Sequence, residues 1–126
     1  MKPEISEIVI EGKTYVPKGE SSVLASSEGL DAVLIRSRDA GVHFGFLESA
    51  EFTPAGKVVT LVKTRRVWYW SGAASLSQMA LEGVKKPGDC KFSVEIERNE
   101  IVNVIETLPL TEAAFKNLKS VAVWKQ

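Results

Sequence analysis

Between Lys63 and Gln78 the chain reads KTRRVWYWSGAASLSQ, which gathers two arginines, three large aromatics, a glycine and a helix-start signal into one short stretch. Guanidinium groups bind phosphate through paired N–H donors, and indole or phenol rings offer faces on which a planar heterocycle stacks. Ser71-Gly72-Ala73 follows as a turn where backbone can approach a bound molecule. A helix opening near Ser75 would add free N–H groups carrying partial positive charge. Arg65, Arg66, Trp68, Tyr69, Trp70, Ser71, Gly72 and Ser75 are therefore the candidate contacts for a phosphorylated ligand with a planar base. The stretch lacks the glycine-rich run and Lys-Ser/Thr end of a P-loop, and also the glycine pattern of a dinucleotide fold, so it points to binding without naming a reaction. The competing reading is structural: Trp carries a large apolar area, and one aromatic set would pack beneath the helix.

In a strand, alternate side chains project to opposite faces, so Arg66, Trp68 and Trp70 share one side while Arg65, Val67 and Tyr69 share the other. The two arginines then cannot serve one surface. His43 is the single imidazole, flanked by Gly41 and Gly45 in AGVHFGFLES. A strand glycine often marks the close approach of a ligand or of another backbone, which makes His43 a further candidate contact and the one ready general base. No Ser, Asp or Glu is tied to it by a known catalytic spacing, so no catalytic residue is nominated. Cys90, the one cysteine, reads as a small packing residue.

The elements that must position these residues follow from the apolar pattern. EIVIEGKTYVP reads as a hairpin turning at Glu11-Gly12-Lys13, and Lys18 to Gly29 as a surface loop rich in Gly, Ser and Glu. DAVLIRSR reads as a strand; in GVHFGFLESAEF, Val42, Phe44 and Phe46 alternate toward a core with His43, Gly45 and Leu47 on the opposite face. Thr53 to Gly56 is a turn, and KVVTLVKTRRVWYW is long enough to be the central strand of an antiparallel meander. Ser75 and Gln78 have capping-box spacing, so a short helix runs from Ser75 to Val84 and stops at KKPGD. Phe92, Val94 and Ile96 alternate inward, a hairpin turns at Arg98-Asn99, and Thr111 caps a second helix with Phe115, Leu118 and Ala122 on one stripe. The expected fold is α+β: a mostly antiparallel sheet with two short helices, in one domain spanning residues 1–126.

Composition bounds the partners. The 126 residues carry 44% hydrophobic and 25% charged side chains, and 16 Lys and Arg balance 16 Asp and Glu. A zero formal charge argues against general coating of duplex DNA. No apolar run is long enough to span a bilayer and no secretory signal opens the sequence, so a cytoplasmic protein without membrane contact is expected. One Cys and one His cannot build a Cys/His zinc site, so neither a structural metal nor a cofactor is expected.

The strings AGVHFGFLES, RRVWYWSGAASLSQMALEGVKKPGDCKFSVEI and ETLPLTEAAFKNLKSVAVWK resemble a family of small proteins encoded in tailed-phage genomes. The resemblance covers roughly Asp31 to Lys125 and rests on Arg66, Trp68, Tyr69, Trp70, Ser71, Gly72 and the EGVKKP segment. It implies a phage accessory protein acting in the host cytoplasm and transfers no activity. In that setting three readings are open: a module that sequesters a nucleotide-like molecule such as a host defence signal, an inhibitor that docks on a host protein, and a small hydrolase using His43. A homo-oligomer is expected as well, because a small aromatic-rich sheet must cover its remaining apolar face and its edges.

Overall fold

The computed structural model describes residues 23–125; the hairpin expected at residues 7–17 and residues 18–22 of the expected loop lie outside them. In chain order the elements are β1 (Ser26–Ser27), β2 (Leu30–Ser37), β3 (Gly41–Thr53), β4 (Gly56–Tyr69), α1 (Leu76–Glu82), β5 (Lys91–Phe92), β6 (Ile96–Ile101), β7 (Val104–Pro109) and α2 (Glu112–Lys119). The fold is α+β in a single domain, and the described residues form a seven-stranded sheet and two α-helices. Strands β2, β3 and β4 form the expected meander, antiparallel throughout.

The register of the last two strands decides the shape. β6 pairs with β4 and β7 pairs with β2, on opposite sides of β3, although only Val102 and Asn103 join them. Across a flat sheet those strands would stand four spacings apart, about 19 Å, whereas three residue steps reach only about 11 Å. The sheet therefore curls until its two outer strands meet at that corner, and β7 also touches β4. Val33, Ile35, Val59, Leu61, Ile101 and Val104 pack inside the curl.

The other face of the sheet carries Leu34, Val42, Phe44, Phe46, Val67 and Phe92 against both helices. Phe44 meets Phe92 and Phe115 edge-on, with ring centroids 5.9 and 6.2 Å apart, a geometry worth about 1 kcal/mol per pair beyond the area buried. Helix α1 begins as its sequence predicts: the Ser75 hydroxyl accepts from the Gln78 N–H at 3.1 Å. Gln78 reaches back one residue further than expected, accepting from Ala74 N–H at 2.9 Å. The Thr111 hydroxyl caps α2 by accepting from Ala114 N–H, and it also donates to Leu81 O across the helix pair. Asn117 of α2 holds both backbone groups of Val84 just beyond the end of α1, accepting its N–H at 2.7 Å and donating to its carbonyl at 2.9 Å.

Several expectations are corrected. Residues 24–29 are not loop: Ser26 and Ser27 pair with Asp31 and Leu30 around Glu28-Gly29, and Leu24 bridges to Thr111. Both turn residues have positive φ, which matches the twist of a two-residue hairpin. There is no hairpin at Arg98-Asn99, which lie mid-strand in β6 opposite Val62 and Leu61; the chain turns at Val102-Asn103 instead. Of the three residues expected to point inward, Phe92 is buried while Val94 and Ile96 are exposed, because pairing with β4 is interrupted between β5 and β6. Helix α1 ends at Glu82, before the buried Val84, and Val121 rather than the exposed Ala122 closes the core after α2.

Candidate functional site

Three chain segments lie side by side at one end of the sheet. Val67 pairs with Phe92, Phe92 bridges in parallel to Val123, and the Trp124 N–H donates to Phe92 O at 2.9 Å. This carries the C-terminal segment to the β4 end and stands Trp124 beside Trp68, with ring centroids 4.9 Å apart. Neither indole is buried, at 60% exposure for Trp68 and 39% for Trp124. Lys91 Nζ lies 5.3 Å from the Trp124 ring and 5.8 Å from Trp68, within the range of cation–π attraction, and 6.0 Å from Tyr69.

The two indoles, Arg66, Ser93, Val94, Val123 and Lys125 line a groove of about 440 Å³. That volume is within the range of small-molecule sites. Arg66 and Lys125 make no side-chain hydrogen bond or ion pair among the described residues. Glu95, the nearest acid in sequence to the groove wall, is engaged by Lys119 at 3.3 Å. A protein with no net charge thus presents a locally cationic rim around an aromatic floor.

A second cavity of about 270 Å³ opens from the same wall, sharing Arg66, Ser93 and Val94 and adding His43, Thr64, Arg65, Ile96 and Asn99. It occupies the gap where β5 has ended and β6 has not yet begun. His43 pairs with Arg66 across β3 and β4 and is 1% exposed. Its Nε2 lies 2.8 Å from Ala40 O, which can only accept, so that nitrogen carries the proton. Burial is the main influence on the imidazole and lowers its pKa; the Ala40 carbonyl opposes this and the Arg66 charge adds to it. The group is a neutral, oriented acceptor at neutral pH.

Of the remaining candidates from the sequence, Arg65 borders this cavity but its guanidinium is taken up by backbone carbonyls, and the others fall elsewhere. Arg65 is internal: Nε donates to Ser93 O at 2.8 Å, Nη1 to Leu118 O and Lys119 O, and Nη2 to Ala122 O. It serves as the C-terminal cap of α2, stacked over Phe92 at 5.4 Å, and is not free for a ligand. Trp70 packs against the helix-side core. Ser71 donates its N–H to Cys90 Sγ, and Gly72 fits against Lys85 and Lys86, whose backbone nitrogens would lie 2.5 Å from an added Cβ. The backbone that approaches Gly72 is therefore the chain's own. Ser75 caps the Gln78 N–H at the start of α1 and Gln78 takes the Ala74 N–H, while Ser75 lies outside the linings of both the groove and the cavity. Gly45 likewise faces a neighbouring strand, with Thr64 Cβ 2.8 Å from where its own Cβ would stand.

The structure thus brings Arg66, Trp68 and His43 together around the groove and cavity, leaves Tyr69 at their border over Lys91, ties Arg65 into the scaffold at the cavity's edge, and places Trp70, Ser71, Gly72 and Ser75 outside both spaces. Trp124, Lys91, Asn99 and Ile96 join them without having been nominated from sequence. Trp124 had one readable signal, a third tryptophan beyond the last helix. Among the described residues no three His, Cys, Asp or Glu side chains gather as metal ligands, and no helix is long and apolar enough to cross a membrane.

A curled antiparallel sheet under two helices, with an open indole pair at its end, defines a small α+β domain with one distinctive surface. The chain belongs to the family described as "Domain of unknown function (DUF6948)", matched over residues 30–118. His43, Arg66, Trp68 and Asn99 lie within the matched span and Trp124 lies beyond it. No curated protein sequence and no solved structure matches the chain.

Proposed function

We propose that this protein is a binding module whose ligand is a phosphorylated planar molecule of the nucleotide type, held in the groove at Trp68 and Trp124. The observation that carries the reading is the exposed indole pair with Lys91 over it and Arg66 and Lys125 at its rim. An aromatic face stabilises a stacked base by about 1 to 3 kcal/mol, and cations beside it that have no side-chain partner among the described residues favour an attached phosphate. In the tailed-phage setting implied by the sequence resemblance, such a module would sequester a host nucleotide signal in the bacterial cytoplasm. His43 acts there as a contact, its Nε2–H held by Ala40 O and its Nδ1 lone pair left to accept from the ligand.

A second reading has its own observation. Val94 and Ile96 are 56% and 45% exposed beside Trp68, and a surface of Trp, Tyr, Arg and aliphatic groups also suits a protein partner or a second copy of this chain. Calorimetry against mono-, di- and cyclic nucleotides separates the two. Binding tighter than about 100 μM, roughly −5.5 kcal/mol, is expected for at least one member, with the ligand recovered chemically intact. If none binds, docking on a host protein becomes the leading reading; product accumulating with time would establish an enzyme instead. Light scattering at tens of micromolar tests self-association, and a strict monomer would remove ligand binding between protomers.

A further inference from the structure

The cavity beside the groove contains an acceptor that no described residue supplies with a donor. With Nε2–H committed to Ala40 O, neutral His43 presents Nδ1 as a lone-pair acceptor, and no described residue donates to it. The residue is 1% exposed, so bulk water does not supply that donor freely. An unsatisfied buried acceptor is costly, and the cavity of about 270 Å³ has several times the room that one water needs.

The surrounding groups narrow what fits. Val94 and Ile96 make apolar walls suited to a flat ring. The Asn99 amide and the Arg66 guanidinium have no side-chain partner among the described residues and can donate, while Thr64 spends its proton on Phe44 O at 2.8 Å. A phosphate would set its oxygens against the Nδ1 lone pair, so this cavity disfavours the anionic end of a ligand.

We infer that the cavity takes the lactam edge of the ligand's heterocycle, a ring N–H donating to His43 Nδ1 with an adjacent ring carbonyl accepting from Asn99 or Arg66. The inference rests on the nucleotide reading above and deepens it, because it selects bases with an N–H beside a C=O, such as uracil or guanine. Arg66 lines both spaces, so it stands where the ring edge and the charged remainder of the ligand part.

The test uses the full chain and ligand pairs that differ only at the donor: uridine 5′-monophosphate against its N3-methyl form, and guanosine 5′-monophosphate against its N1-methyl form. At least one parent is expected to bind ten or more times tighter than its methylated partner. Asn99→Ala, on a partly exposed residue, is expected to weaken the parent while barely moving the methylated form. Equal binding of both forms, or binding restricted to adenine nucleotides, overturns the lactam assignment and leaves the nucleotide groove standing, with water as the donor to Nδ1. Failure of every nucleotide to bind overturns both. Changing the ligand keeps the test independent of whether a His43 variant folds.

Discussion

Arg65 and Ala122 are joined across the molecule: Nη2 of the β4 arginine donates at 3.4 Å to the carbonyl of a residue past the end of α2. The same guanidinium reaches Leu118 O, Lys119 O and Ser93 O, so one side chain ties the central strand to the last helix and to the wall of the groove. Helix carbonyls left over at a C-terminus need donors, and a cation there also opposes the negative end of the helix dipole. Of the two arginines that the sequence offered as contacts, Arg65 is structural and Arg66 is the exposed one.

Arg65→Met should therefore cost about 2 to 4 kcal/mol in urea denaturation, since it strands several carbonyls and removes a buried charge-assisted set. Arg66→Met should leave the unfolding midpoint nearly unchanged and weaken nucleotide binding. Comparable destabilisation by both variants would contradict the division of roles between the two arginines.

Trp68→Ala and Trp124→Ala should each lower ligand affinity about tenfold or more, equivalent to the roughly 1 to 3 kcal/mol of one stacked base. Because Trp68 is mostly exposed and Trp124 partly so, stability should fall by only about 1 kcal/mol for Trp68→Ala and about 1 to 2 kcal/mol for Trp124→Ala. Thermal melts beside the calorimetry check this. An affinity loss matched by a collapse in melting temperature would return the indoles to a packing role.

His43 should make the fold sensitive to mild acid. Its pKa is lowered in the native state, so between that value and its ordinary value near 6.5 the unfolded chain binds more protons. Stability then rises with pH through this window and is lost as pH falls, by at most about 1.4 kcal/mol per pH unit. The charged group facing the ring is Arg66 on β4, while β2 contributes Ile35 and the β6 side contributes Asn99. Urea titrations at pH 7 and pH 5 should show a smaller drop in His43→Gln than in the wild type. Identical drops would mean that the imidazole titrates normally.

Gly45→Ala should destabilise by about 1 to 3 kcal/mol, the range for forcing a methyl into filled space. An added Cβ would stand 2.8 Å from Thr64 Cβ and 3.0 Å from Val62 O, where the β3–β4 register shifts and Lys63 takes a positive φ of 48°. Circular dichroism should retain the β spectrum while the urea midpoint falls. A neutral substitution would mean that the strands are not held this closely beside His43.

The meander from β2 to β4 and the starts of both helices were legible in the chain because their signals are local. Alternation over Val42 to Leu47, the turn at Thr53 to Gly56, and Ser75 and Thr111 as caps each act within a few residues. The site was not legible in the same way. Trp68 meets Trp124 only because β5 interposes one strand between β4 and the C-terminal segment, and Arg65 turns inward only because the end of α2 offers it carbonyls. The turn at Val102-Asn103 was equally out of reach. It depends on β6 and β7 choosing partners on opposite sides of β3, a choice made by closing one apolar interior from both ends and written in no single segment. Alternation named the residue types available at the surface; long-range pairing decided which of them face a ligand and which hold the scaffold together.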